Sequence, residues 1–114
     1  MNFIQRDGGR YEINQYELTP EHLPFLDEKI RFLNEFPDMK VYIYGHTCDL
    51  GTHEVNERIG SQRAQKVREY LLANGIDQSR ILGAGSKRDT EPLVPNTNDE
   101  NRKINHRVQF VVAQ

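Results

Sequence analysis

The sequence predicts an α+β fold, an α/β sandwich of order β-α-β-α-β-β in which the helices pack on one face of a mixed sheet. Three observations predict it. Two stretches repeat apolar residues at helical spacing. Short runs rich in β-branched and aromatic residues stand between turn-forming residues. A long polar stretch separates the last two strands, and such a loop in a small domain is more often functional than idle. At 114 residues the chain suits one domain, 1–114, with no room for a second independent core. Residues 1–10 are expected to be a flexible or linker-derived N-terminus.

Tyr11-Glu12-Ile13-Asn14 is short and half apolar and reads as the first strand. Thr19-Pro20-Glu21 offers an N-cap, a proline tolerated at the first helical position and an acid that complements the helix dipole. Leu23, Leu26, Ile30 and Leu33 follow at helical spacing, and the helix should stop near Phe36-Pro37. Pro24 sits late for a start at Pro20, which leaves room for a start one turn further on.

Lys40-Val41-Tyr42-Ile43-Tyr44 reads as a buried strand ending at Gly45. A polar loop from His46 to about Thr52 leads into a second helix, roughly His53 to Asn74, with Val55, Ile59, Val67 and Leu71 on one stripe. Gly75 is placed to end it in a left-handed conformation, with Ile76 behind it for the hydrophobic contact. Arg80-Ile81-Leu82-Gly83-Ala84-Gly85 reads as a third strand entering a glycine turn. A polar loop from Ser86 to Asn105 carries Pro92 and Pro95, and Arg107 to Val112 forms the last strand. Right-handed crossovers would make the first three strands parallel, and the final strand adds to the sheet antiparallel.

Composition narrows the function classes. Hydrophobic residues make up 36% and charged residues 28%, enough apolar material for one core. A formal net charge of −2 argues against a nucleic-acid partner bound by phosphate neutralisation. No apolar run approaches bilayer length, so no membrane contact by the domain itself is expected, and residues 1–6 are no signal peptide. The single Cys48 excludes an internal disulfide framework and a cysteine zinc cluster, and the four histidines lack metal-site spacing. No metal and no cofactor are expected.

Catalytic chemistry finds little footing. Cys48 has His46 and His53 nearby in sequence, but a cysteine nucleophile needs an imidazole within hydrogen-bond reach and a group to orient it, and nothing in the spacing demands that. Gly83-Ala84-Gly85 lacks the rest of a phosphate-binding fingerprint. Asp99-Glu100 lies in a solvated loop. The chain is not expected to be an enzyme.

Three segments do converge. Gly45 to Thr52 joins a buried strand to a helix, where open α/β sheets tend to bind ligands. On the helix that follows, Asn56, Ile59 and Arg63 are spaced i, i+3 and i+7 and share a face. Asn101 to Arg107 brings Arg102 and Arg107 to the entry of the last strand. Together these outline a pocket rimmed by guanidinium groups that could grip a carboxylate. Arg58, Arg63 and Arg68 each also fit the plainer description of a solvated helix charge, paired with Glu57 or Glu69.

Taken in combination, several motifs resemble the OmpA-like domain shared by outer-membrane protein A, the peptidoglycan-associated lipoprotein and the stator protein MotB. Gly45-His46-Thr47 matches the start of that family's Gly-His-Thr-Asp loop. Asn56-x-x-Ile59-Gly60-x-x-Arg63-Ala64 matches its helix motif, Pro92 with Asn96 its late loop, and Arg102-x-x-Asn105-His106-Arg107-Val108 its closing motif. Glu17-Leu18-Thr19-Pro20, Gly75-Ile76 and Arg80-Ile81 agree as well, so the resemblance runs from about Tyr11 over nearly the whole chain.

The resemblance implies a non-catalytic module that holds the stem peptide of peptidoglycan by the two ends of its diaminopimelate side chain. In the family a loop aspartate and a helix arginine do most of this. The arginine carries over as Arg63. Fifteen positions earlier, the family's interval, stands Cys48, with the carboxylate one residue later at Asp49. An ordinary thiol, with a pKa of about 8.5, is mostly neutral at pH 7 and a weak partner. Its presence in place of the carboxylate would lose about 1.5–3 kcal/mol, roughly ten- to a hundredfold in affinity. Either Asp49 replaces the carboxylate, which is the favoured expectation, or the site prefers a modified stem peptide.

The resemblance also implies supporting roles for Thr47, Asn56 and Ile59, a rim of Arg102 and Arg107, and Asn14 where relatives often place an acid. It implies a periplasmic location in a diderm bacterium, as a fragment or mature domain of a larger outer-membrane or envelope protein. Two other readings stay open: a degenerate module for homodimerisation or protein docking, and a thiol-dependent activity at Cys48.

Overall fold

The computed structural model describes residues 7–11, 15–47, 52–88, 98, 105 and 107–113. Strand β1 spans Asp7–Arg10, helix α1 Leu23–Glu35, β2 Val41–His46, α2 His53–Ala73, β3 Ile81–Arg88 and β4 Arg107–Val112. A 3-10 turn over Gln78–Arg80 leads into β3. The element order and the α+β class agree with expectation, with both helices on one face of a mixed sheet.

The sheet runs in the order β1-β4-β2-β3. β2 and β3 are parallel, while β4 is antiparallel to both β1 and β2. β1, β2 and β3 therefore point the same way, and the last strand is inserted between the first and second.

Two sequence expectations are corrected. The first strand lies at Asp7–Arg10, ahead of Tyr11–Asn14. Asp-Gly-Gly-Arg has poor strand propensity, and it is pairing with β4, Asp7 with Gln109 and Arg10 with Arg107, that makes it a strand. Tyr11 is buried just beyond it, and residues 12–14 lie outside the described residues. Likewise Gly83-Ala84-Gly85 is no turn. β3 continues through it to Arg88 because β2 pairs alongside, Tyr42 with Gly83 and Gly45 with Ser86. Gly83 leaves room for the Tyr42 ring, whose Cδ1 would stand 3.3 Å from any added Cβ.

Helix α1 starts one turn after Thr19, with Pro24 in its first turn, where the missing N–H has no helical partner to lose. At its far end Arg80 supplies the missing donors. Its Nη2 donates to the carbonyls of Leu33 and Phe36 at 2.8 Å each, and its Nε to Met39 at 2.6 Å. One side chain thus ties the start of β3 to the α1–β2 connection.

Helix α2 is capped at both ends, at the second by the glycine its sequence suggests. Thr52 Oγ1 accepts from the Val55 N–H at 3.2 Å. Gly75 takes a φ of +91°, the N–H of Ile76 reaches the Leu71 carbonyl, and the N–H of Gly75 reaches Leu72. The core lies between helices and sheet, with Leu26 and Leu33 of α1, Ala64, Val67 and Leu71 of α2, and Val41, Ile43, Val108 and Phe110 of the sheet all buried.

Where α2 crosses β2 the backbones come unusually close. A Cβ on Gly45 would collide with the carbonyl of Gly60, and one on Gly60 would collide with the side chain of Ser86. Two glycines facing each other let the helix ride directly on the strand. That contact sets how far the side chains around Gly60 stand from the strand's carboxyl end.

Candidate functional site

At the carboxyl end of β2, His46 and Thr47 are both buried. Residues 48–51 lie outside the described residues, and Thr52 caps α2. Asn56, Ile59 and Arg63 emerge from α2 toward this end, each less than one tenth exposed.

Arg63 is the centre of the arrangement. It is 1% exposed, which rules out the solvated helix charge that its sequence context also allowed. Its Nε donates to the Gln15 carbonyl at 2.7 Å and its Nη1 to the His46 carbonyl at 2.9 Å. Its Cζ lies 4.7 Å from the centroid of the Tyr11 ring. These contacts satisfy donors and fix the plane of the guanidinium. A buried guanidinium oriented in this way is suited to grip a carboxylate.

Tyr11 is itself held in place. Its ring stacks on His22 with centroids 4.3 Å apart, and His22 Nδ1 accepts from the Thr19 N–H at 3.0 Å. Burial pushes the Tyr11 phenol well above the ordinary tyrosine value, and the nearby Arg63 charge only partly offsets that. On the other side, His46 Nε2 lies 2.8 Å from Gln109 Oε1, which joins the end of β2 to β4. Thr47 Oγ1 is buried with no hydrogen-bond partner among the described residues. A buried hydroxyl in that condition calls for an explanation, and a ligand group is one.

Arg107 stands opposite His46 in the β2–β4 register, so it too belongs to this end of the sheet. Its guanidinium donates through Nη1 to the carbonyl of Asn105 at 3.3 Å, and both residues are buried. Of the residues singled out from sequence, Arg63, Thr47, Asn56, Ile59 and Arg107 are thus brought to one region. Cys48, Asp49, Arg102 and Asn14 lie outside the described residues. Among the described residues no group of three or more His, Cys, Asp or Glu side chains could hold a metal ion.

Sequence reasoning missed Tyr11, His22, Gln15 and Gln109 as supports of the site. Tyr11 was read only as a strand residue, and no periodicity links it to an arginine 52 positions away. Next to Arg63 an open groove of about 500 Å³ is lined by Tyr16, Val55, Arg58, Ile59 and Gln62.

Fold and geometry define a two-layer α+β domain with a buried, backbone-held arginine where the second helix meets the end of a central strand. The chain belongs to the OmpA family, whose sequence profile matches residues 10–106. It is 34% identical over 84 residues to a peptidoglycan-associated lipoprotein of Haemophilus influenzae, covering 74% of this chain and 54% of that protein. It is 30% identical over 103 residues to outer membrane porin F of Pseudomonas fluorescens, covering 90% of this chain and 31% of that protein. The chain therefore spans about half of one relative and about a third of the other. Among solved structures, the cell wall anchor of the T6SS from Pseudomonas aeruginosa superposes with a TM-score of 0.73 at 26% identity, over 88% of this chain and 71% of that one. The peptidoglycan-associated lipoprotein of Burkholderia pseudomallei shares the fold, with a TM-score of 0.85 at 22% identity over 95% of this chain and 91% of that one.

Proposed function

We propose that this domain binds peptidoglycan without cleaving it, by gripping the diaminopimelate side chain of the stem peptide, and so anchors a larger envelope protein to the wall in the periplasm. The observation that carries the reading is the Arg63 guanidinium, buried and oriented by the Gln15 and His46 carbonyls beside the end of β2. A carboxylate of the diaminopimelate zwitterion is its natural partner. The ammonium of the same group needs an acceptor, and Asp49 is the proposed one, with Cys48 beside it at the family's aspartate position. Thr47, Asn56 and Ile59 line the pocket in this reading, Arg102 and Arg107 form its rim, and Asn14 adds a polar contact. Support also comes from the relatives, one a peptidoglycan-associated lipoprotein and one a cell wall anchor.

Calorimetric titration with a diaminopimelate-containing stem peptide tests the proposal. Arg63→Ala should weaken binding by at least about thirtyfold, since removing one partner of a buried charge pair costs about 2–5 kcal/mol. Because Arg63 is buried, circular dichroism must show the variant folded, and Asn56→Ala serves as a second, milder variant expected to lose about fivefold. Unchanged affinity in a folded Arg63→Ala protein, or no saturable binding by the wild type, would overturn the reading.

The same titration resolves the Cys48 question. If Asp49 supplies the acceptor, Cys48→Asp gains no more than about tenfold. A gain of several hundredfold would mean that Asp49 does not fill that role.

A further inference from the structure

The groove beside Arg63 has properties of its own. Val55 and Ile59 give it an apolar wall, while Tyr16, Arg58 and Gln62 bring polar groups to it. Arg58 is exposed and has no ion pair or hydrogen bond among the described residues. Gln62 Oε1 is buried without a hydrogen-bond partner, and the half-buried Tyr16 makes no hydrogen bond there either. The buried Gln62 oxygen left unpaired at this opening is uncommon enough in folded proteins to call for a ligand. The lining contains one cation and no carboxylate, so the ligand end that suits Arg58 is an anion. Gln62 and Tyr16 suit groups that hydrogen bond as a peptide link does.

Position ties the groove to the Arg63 site. Ile59 lies one helical turn from Arg63 and also lines the groove. Gln15, whose carbonyl holds Arg63, is followed directly by Tyr16 on the groove wall. Arg58 leaves α2 five residues before Arg63, about 7.5 Å along the axis and on a different face, with Ile59 between them.

We propose that the groove is a second subsite for the same stem peptide, in which Arg58 holds the peptide's C-terminal carboxylate and Gln62 and Tyr16 hydrogen bond the peptide link before it. The inference rests on the reading of Arg63 as the diaminopimelate contact, and it adds that the domain distinguishes the chemical state of the stem-peptide terminus. A free carboxylate one residue beyond diaminopimelate would be favoured over a terminus that is amidated or consumed in a cross-link.

Two synthetic tetrapeptides test it, identical except that one ends in a carboxylate and the other in a carboxamide. The wild-type domain should bind the acid about three- to tenfold more tightly than the amide, a range that allows for screening of an exposed arginine. In R58Q the acid-to-amide ratio should fall to about one. Arg58 is exposed, so the substitution leaves the core untouched and folding is checked by an unchanged thermal midpoint. A wild-type ratio near one, or an R58Q protein that keeps the wild-type preference, overturns the subsite while leaving the Arg63 site standing. Failure of the wild type to bind either peptide overturns both.

Discussion

Arg63 presents a permanent charge with almost none of its surface in water, and the side chain is matched to that setting by its shape. A planar fork can donate to two carbonyls in different directions and still lie flat over a ring, whereas a lysine is a single strongly hydrated point. Arg63→Lys should therefore lower stability by at least about 2 kcal/mol, read from urea unfolding, through lost charge-assisted hydrogen bonds. Tyr11 below it gives a pH signature. Its phenol ionises at a higher pH in the folded chain than at the ordinary value of 10.0, so the folded state holds the proton more tightly. The stabilisation is complete below about pH 10 and is lost as pH rises beyond it. Wild type should lose urea resistance as pH rises from about 10 to about 11.5, and Tyr11→Phe should lose clearly less; equal losses would place the titration elsewhere. At this scale the sequence was only partly legible. Spacing along α2 put Asn56, Ile59 and Arg63 on one face, because helical geometry is local. The partners of Arg63 come from Gln15, His46 and Tyr11, far off in sequence, and no local rule joins them.

Elements were more legible where their ends carry chemistry. Gly75 marked the end of α2 because a left-handed residue solves a defined local problem, the unpaired carbonyls of a helix terminus. β1 was not legible, since Asp7-Gly8-Gly9-Arg10 becomes a strand only through what β4 offers it. The glycines of the two kinds should behave differently when replaced. Gly75→Ala forces a side chain into a φ of +91° at the far end of α2, and should cost about 1 kcal/mol of stability with ligand affinity unchanged. Gly45→Ala drives a methyl group into the Gly60 carbonyl. Helix and strand must separate there, at a cost of about 1–3 kcal/mol or more. The same shift moves Arg63 away from the His46 carbonyl, so this variant should lose affinity as well as stability. Equal affinity for Gly45→Ala and wild type would show that the close crossing supports the fold without setting the site.

For the whole molecule, the decisive feature is that the last strand in sequence lies inside the sheet. β4 is hydrogen bonded to β1 on one side and β2 on the other, and it contributes Val108 and Phe110 to the core with none of their surface exposed. It also brings Gln109 to His46 and Arg107 to the site end of β2. Sheet, core and site thus all depend on a segment that arrives after the rest of the chain, through contacts of high sequence separation. Phe110→Ala should therefore act on all three together. Loss of the ring leaves a cavity between the sheet and the helices, for which a cost of about 3–5 kcal/mol is usual, a large part of the roughly 5–15 kcal/mol that holds a domain together. If β4 is the common support, urea unfolding followed by far-ultraviolet circular dichroism and by tyrosine fluorescence should give one coincident transition, shifted as a whole in the variant. Tyr11, next to β1, and Tyr42 and Tyr44, on β2, make the fluorescence a reporter of both sides of β4. Two separated transitions in Phe110→Ala, with the β2–β3 side outlasting the β1 side, would show instead that β4 joins two parts able to stand apart.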